Sequence, residues 1–284
     1  MTNDRTILVT GITGHQGGAT ARALRGSGFR LRGLTRKPDS EHAAALARDG
    51  VEIVKGDLDD EATLGAALVG AWGVFGVQNT WEAGVEREEV QGKRLATLAR
   101  EAGVEHYVYT SVGSAHRHTG VPHFDNKWRI EETVRGLGFP SHVILRPVFF
   151  MENLVAPYSL NGNALTAALA PTTKLQMIAV DDIGWFGARA FTHASALNGR
   201  ELDLAGDLHT MAEVAEILTK TLGRPITFTQ TPIEQVRQYS EDTALMLEWF
   251  DRVGYNADIA GLEQEFGRPL TKLPDWARKH AQDR

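Results

Sequence analysis

The first half of the chain alternates short apolar runs with segments of helical period. Residues 7–9 (Ile-Leu-Val) are such a run, of the kind a strand buried on both faces needs. Ala19, Ala21, Ala23 and Leu24 then mark the packing side of a helix, which Gly26-Ser27-Gly28 ends. Residues 29–35 form a second strand, and Asp39 or Ser40 caps a short helix running to Ala47 and closed by Gly50. Further strands are predicted over 51–55, 72–77, 107–112 and 141–145, and helices over 60–68, 82–102 and 126–137. In the long helix, Val85, Val90, Leu95 and Leu98 are assigned to the packed side. Glu86, Arg87, Glu88, Glu89, Lys93 and Arg94 are assigned to a solvated face. Regular strand–helix alternation predicts an α/β fold built on a doubly wound parallel sheet. Ligands of such sheets sit beyond the carboxyl ends of the strands. Those ends are Gly11 to Gly17, Arg36, Asp57-Leu58, Gln78-Asn79, Thr110-Ser111 and Pro147.

From Val148 the alternation breaks down. A bulky apolar stretch over 149–154 is followed by a loop with Asn161-Gly162-Asn163. Asp181-Asp182-Ile183-Gly184 caps a helix to Thr192, and a seventh strand is predicted over 201–204. A helix over 211–222, a strand over 226–231 and a helical stretch over 234–252 follow. The organisation expected is a core over 1–147 and a smaller C-terminal α/β lobe over 148–284, with some segments returning to the core. The lobe is expected to fold over the sheet's carboxyl edge on the substrate side. No internal repeat or low-complexity segment is visible.

Between the first strand and the first helix stand Gly11, Gly14 and Gly17, spaced G-x-x-G-x-x-G, with Gly18 added. Glycine takes backbone angles a Cβ forbids and lets main chain approach a ligand closely. The helix start adds unpaired N–H groups and a positive dipole end, which suit a diphosphate. Placement between strand and helix supports dinucleotide binding; the alternative is a tight strand–helix turn that binds nothing. The second strand ends in Thr35-Arg36-Lys37. NAD sites usually carry a carboxylate there for the ribose hydroxyl. Two adjacent cations suit a 2′-phosphate and favour NADP, the other reading being a solvated strand end before Pro38.

Composition narrows the classes. The 284 residues carry a net charge of −6, which argues against nucleic acid as a partner without excluding a protein. No cysteine is present, so disulfides, thiolate metal sites and cysteine nucleophiles are excluded. Met1 to Arg5 is polar, and no run approaches the roughly 18 apolar residues of a membrane span. The expectation is a cytoplasmic protein without membrane contact.

Taken jointly, several motifs carry a resemblance. They are Gly11-Ile12-Thr13-Gly14-His15-Gln16-Gly17-Gly18, Thr35-Arg36, Gly56-Asp57-Leu58 and His123-Phe124-Asp125-Asn126-Lys127. Leu145-Arg146-Pro147, Phe150-Met151-Glu152-Asn153 and Asp181-Asp182-Ile183-Gly184 complete the set. The chain resembles the NmrA-like proteins, an atypical branch of the short-chain dehydrogenase/reductase superfamily. The resemblance implies a Rossmann domain with a small C-terminal lobe, binding NADP (as NADPH) more readily than NAD. It implies that Gly11, Thr13, Gly14, His15, Gln16 and Gly17 cradle the diphosphate and that Arg36, with Lys37, holds the 2′-phosphate. Asp57 and Leu58 would flank the adenine, Gln78 and Asn79 line the ribose, and Lys127 reach the nicotinamide ribose.

Ordinary members of that superfamily place Tyr-x-x-x-Lys on one helix face, with a Ser nearby. Here Lys127 is present but His123 stands in the tyrosine's place, and Ser111 follows Thr110 at a strand end. His123 would be an acid/base near neutral pH or a histidine that shapes the pocket. Lys127 would be a ribose contact or a solvated lysine, and Ser111 a catalytic hydroxyl or a local cap. His116 and His118 lack an accompanying carboxylate pattern, so no metal is expected. Two functions remain. One is an NADP(H)-dependent oxidoreductase passing hydride to a small electron-poor acceptor, such as a quinone or an activated C=C or C=N bond. The other is an NADP(H)-sensing regulator whose association with a protein partner follows cofactor binding.

Overall fold

The computed structural model describes residues 4–280; the polar start at Met1-Thr2-Asn3 lies outside the described residues. In chain order, the first half runs β1 (Thr6–Val9), α1 (His15–Ala23), β2 (Arg30–Thr35), α2 (Glu41–Arg48), β3 (Glu52–Lys55), α3 (Glu61–Leu68) and β4 (Ala71–Gly76). It continues with α4 (Thr80–Ala83), α5 (Val85–Glu101), β5 (His106–Thr110), α6 (Pro122–Gly136) and β6 (Ser141–Pro147). Then come β7 (Phe149–Phe150), β8 (Leu160–Asn161), β9 (Ala164–Ala167), β10 (Leu175–Ile178), α7 (Val180–Thr192), α8 (Ala194–Leu197) and β11 (Arg200–Leu204). The chain closes with β12 (Asp207–His209), α9 (Met211–Leu222), β13 (Thr227–Gln230), α10 (Ile233–Arg237), α11 (Glu241–Arg252), α12 (Ile259–Phe266) and α13 (Leu273–His280).

Two compact units result. The first comprises residues 4–112, 125–146 and 183–202, and the second 113–124, 147–182 and 203–280.

The first unit is built on a seven-stranded sheet in the order β11-β6-β5-β4-β1-β2-β3. The pairings from β3 through β2, β1, β4 and β5 to β6 are parallel. Sequence order reverses between β1 and β4, which makes this an α/β doubly wound sheet with its switch point at the end of β1. Leu8, Val74, Tyr107 and Ile144 lie in one buried cluster with Leu64, Leu95 and Ile130 from the flanking helices. The expected strands all form, the seventh as an edge strand.

One helix is rotated relative to expectation. On α5 the buried residues are Glu88, Gln91, Gly92, Leu95, Ala96 and Ala99, whereas Val90 is 50% exposed. The assignment of Glu88 to a solvated face and of Val90 to the packed side is therefore corrected. The cause is close packing at Gly92, where a Cβ would lie 2.6 Å from the Ile130 side chain. That approach sets the phase of the helix. A second close approach involves α7: a Cβ at Gly184 would meet the Ala19 backbone at 2.5 Å, and one at Gly187 the Thr20 hydroxyl at 2.5 Å. Helix α7 thus rests directly on α1.

The second unit carries two small mixed sheets, β12-β10-β7 and β13-β9-β8. Phe124, Trp249, Phe250 and Tyr255 pack as a ring cluster, with the Phe124 and Trp249 centroids 5.6 Å apart. The helical stretch expected over 234–252 is two helices. Ser240 breaks it and caps α11 by accepting from the Thr243 amide. Two motif carboxylates serve as internal acceptors here. Glu152 accepts from the Val180 amide and the Trp276 indole, and fully buried Asp182 accepts from Arg268 and the Thr271 amide.

Candidate functional site

The glycine turn sits at the switch point of the first unit. Thr10 ties the ends of β1 and β4, its hydroxyl donating to the Val77 carbonyl at 3.0 Å and accepting from the Val77 amide at 2.8 Å. The three glycines serve different ends. Gly11 has φ of +56°, a conformation that favours glycine. Gly17 is in a helical turn, where a Cβ would fall 2.4 Å from the Gly11 carbonyl oxygen. Gly14 has extended backbone, φ −98° and ψ −174°, which any residue adopts. A Cβ there would have the Gly11 carbonyl oxygen, at 3.3 Å, as its one neighbour within 4 Å. The lack of a side chain at Gly14 therefore keeps space open before the N-terminus of α1, a helix with no side-chain cap. Gly11, Thr13, Gly14 and His15 are exposed around that opening. Gln16 is turned aside, its Oε1 accepting from the Thr110 hydroxyl at 2.5 Å.

Arg36 and Lys37 line a cavity of about 400 Å³ with Pro38, Asp39, Ser40 and Lys55. The Arg36 guanidinium forms an ion pair with Glu82, both side chains being more than half exposed. That hydrogen bond raises the guanidinium pKa above its ordinary value. At the end of β3, Asp57 accepts from the Asp59 amide and its own amide donates to Thr63, an arrangement that leads into α3. Leu58 is half-buried, and its carbonyl accepts from Arg94.

The end of β4 splits into two roles. Asn79 caps α4 by accepting from the Trp81 amide at 3.2 Å. Gln78 is buried, and neither its Oε1 nor its Nε2 has a hydrogen-bond partner among the described residues. The Ser111 hydroxyl at the end of β5 is likewise buried without a partner among them. An unsatisfied buried polar group costs roughly 1–3 kcal/mol, so native proteins keep one where a ligand or water completes it. The orphaned amide and hydroxyl, the open space at Gly14 and the uncapped helix start all suit a polar, anionic ligand. The residues present fit a dinucleotide.

Lys127 is not a solvated lysine. Its Nζ lies 2.6 Å from Glu88 Oε1, and Glu88 is fully buried. Glu88 also accepts from the Thr80 hydroxyl and from Asn126 Nδ2, which donates in addition to the Val85 carbonyl. Burial alone would raise the Glu88 carboxyl; the Lys127 charge and the hydrogen bonds from Lys127, Thr80 and Asn126 bring it below its ordinary value.

His123 belongs to the second unit. Its amide donates to Asp242 Oδ1 at 2.9 Å, and its ring Nδ1 lies 2.6 Å from Asp242 Oδ2. The ring sits edge-on against Phe124, with centroids 4.7 Å apart. Asp242 had no signal in the sequence, being 119 residues from His123 in the first turn of α11. Glu88 was visible only as one charge in a charged run. The helix expected over 126–137 starts earlier, at Pro122, where proline at the first helical position is a start signal.

The strand order and the glycine turn at its switch point define a Rossmann fold of the NAD(P)-binding class. The chain matches the NmrA-like family over residues 3–280 and belongs to that family. A (4-alkanoyl-5-oxo-2,5-dihydrofuran-3-yl)methyl phosphate reductase of Streptomyces griseus is 29% identical over 294 residues, 97% of this chain and 98% of that protein. An NADPH-dependent quinone oxidoreductase of Escherichia coli, solved with NADPH, superposes with a TM-score of 0.81 at 25% identity, covering 97% of this chain and 99% of that one. NmrA, a negative transcriptional regulator solved with NAD, superposes with a TM-score of 0.80 at 20% identity, covering 98% and 95%. The last likeness is one of fold.

Proposed function

We propose that this protein is an NADP(H)-dependent reductase of small electron-poor acceptors. The observation that carries the dinucleotide is the uncapped start of α1 behind Gly14, whose missing side chain the backbone does not require. The relatives that reduce a butenolide phosphate or a quinone support the reaction class. The amides from Thr13 to Gly17 would hold the diphosphate, and Gln78 and Ser111 would gain partners from the ribose and nicotinamide parts. Asp57 and Leu58 would flank the adenine, and Asn79, besides capping α4, would stand beside the ribose. Arg36, with Lys37, would take the 2′-phosphate. Its pair with Glu82 is exposed and worth about 0–1 kcal/mol, so a phosphate can replace the carboxylate. The bound cofactor supplies hydride to the acceptor. His123, four residues before Lys127 on α6, would give the proton in place of a tyrosine.

One observation favours a second reading, a cofactor-sensing regulator. Glu88 holds the Lys127 ammonium, which would otherwise contact a ribose. In that reading turnover is lacking and bound NADPH governs a protein partner.

The test has two arms. NADPH is titrated into the unaltered protein and into Gly14→Val, with circular dichroism as the control for folding. Binding should be lost while the fold is kept, because the valine side chain would fill the open space. A folded Gly14→Val protein that binds NADPH at full strength would show the site to be elsewhere. NADPH consumption is then followed with quinones, enones and imines. Turnover of at least one supports the reductase. None, together with a partner whose capture depends on NADPH, would replace it by the sensor.

A further inference from the structure

We propose that Lys55 is a specificity-determining residue for the 2′-phosphate of NADP, with the Ser40 hydroxyl donating to the same phosphate. The inference rests on the NADP reading above and extends the site beyond Arg36 and Lys37. All the groups concerned belong to the first unit. Strands β2 and β3 run parallel, with Thr35 opposite Lys55 in their register. Neighbouring strands stand about 4.8 Å apart, so the two strand ends leave the sheet side by side. The turn after β2 is closed by the Ser40 amide, which donates to the Lys37 carbonyl at 3.1 Å. Arg36, Lys37 and Ser40 from one strand end and Lys55 from the other thereby line one cavity of about 400 Å³.

The wall of that cavity carries three cations against one carboxylate, Asp39, a net charge of +2. Its members differ in what they already hold. Arg36 is paired with Glu82, and must part from it to meet a phosphate. Neither the Lys37 nor the Lys55 ammonium has an ion pair or hydrogen bond among the described residues. Like charges gathered with so little compensation repel one another, and an arriving anion turns that repulsion into attraction. A phosphate monoester carries about 1.5 to 2 negative charges near neutral pH and offers three acceptor oxygens. A ribose hydroxyl is uncharged, so a further cation does little for it. Lys55 therefore discriminates between the two cofactors without first giving up a partner.

Ser40 adds direction. Its Oγ accepts from the Ala43 amide at 3.3 Å as the N-cap of α2. The hydroxyl proton has no acceptor among the described residues and remains for a phosphate oxygen. Asp39, on the same wall, opposes an anion.

The test is a titration of NADPH and NADH into the unaltered protein and into Lys55→Gln, Lys55→Arg, Asp39→Asn and Ser40→Gly. Circular dichroism is the control for folding. Lys55 is exposed, so removing its charge should leave the fold intact. Glycine also serves as an N-cap, so Ser40→Gly removes the hydroxyl at little cost to α2. Lys55→Gln should weaken NADPH about fivefold or more at low salt and leave NADH unchanged. Lys55→Arg should keep the preference, Ser40→Gly should lower it, and Asp39→Asn should raise it. Competition by adenosine 2′-phosphate isolates the contact: it should lose the same factor as NADPH in Lys55→Gln, while adenosine 5′-phosphate loses none. An unchanged NADPH-to-NADH ratio in Lys55→Gln, or equal weakening of both cofactors, would overturn the role of Lys55 and leave the NADP reading standing on Arg36. A ratio that moves the same way in Lys55→Gln and Asp39→Asn would also overturn it, since opposite charges must act with opposite sign. Equal affinity of the unaltered protein for both cofactors would overturn the NADP reading and this inference together.

Discussion

Two cation–carboxylate pairs in the first unit invite comparison. Arg36 with Glu82 stands at the end of β2 with both side chains more than half in water. Lys127 with Glu88 joins α6 to α5, and Glu88 is wholly buried. The same kind of contact has opposite meanings in the two places. An exposed pair costs little to part, so its members remain available to an arriving anion. A buried pair is expensive to part, because either ion alone would be left without water. Sites for exchange and sites for permanence are thus distinguished by solvent, not by residue type.

The largest effect should come from breaking the buried pair on one side. Lys127→Met leaves the Glu88 carboxylate uncompensated and should cost about 3–5 kcal/mol in denaturant unfolding. The double variant Lys127→Met/Glu88→Met should recover much of the loss. A single variant no weaker than Glu82→Gln, which should stay within about 1 kcal/mol, would erase the contrast.

A buried ionisable group without a countercharge sharpens it further. His106, between Trp72 and Phe191, is held down to a pKa of about 4, chiefly by burial, against 6.5 when unfolded. Between those values the unfolded chain binds a proton that the folded chain refuses. Stability should therefore fall as pH drops from 6.5 toward 4, by about 3 kcal/mol in all. His106→Gln should flatten the slope between pH 6 and 5, about 1.4 kcal/mol per pH unit for one proton. An unchanged slope would mean that another group titrates there.

The exposed pair should yield the smallest free-energy change and the clearest functional one. NADPH should bind more tightly than NADH, and Arg36→Glu should reverse the order by about tenfold or more, since a charge-assisted phosphate contact contributes roughly 1.5–3 kcal/mol. Glu82→Gln should leave stability nearly unchanged and strengthen NADPH binding a few-fold. Equal affinity of the unaltered protein for the two cofactors would remove the assignment of Arg36.

The sequence made the sheet of the first unit readable because strand, turn and helix each left a local mark there. Apolar runs such as 7–9 need no partner to be recognised, and glycines punctuate them. What stayed hidden was set by distant contact. Glu88 looks solvated within its charged run, and its partner Lys127 comes from 39 residues away. Asp242 meets His123 across 119 residues. The short strands of the second unit, β7 and β8 at two residues each, are too brief to carry a period. Glycine spacing located the turn, but only the backbone angles separate Gly11, needed for shape, from Gly14, needed for space.

The seating of α7 on α1 has a consequence for how fast and how tightly a ligand is held. Gly184 seats against the Ala19 backbone and Gly187 against the Thr20 side chain, so α1 has no room to slide or tilt toward α7. Its N-terminal amides are therefore set in place when the chain folds, before any anion arrives. On the proposed reading, a diphosphate bound there would require little ordering of the receptor, which is the advantage of preorganisation. Association should follow one simple exponential, with no slow conformational phase behind it.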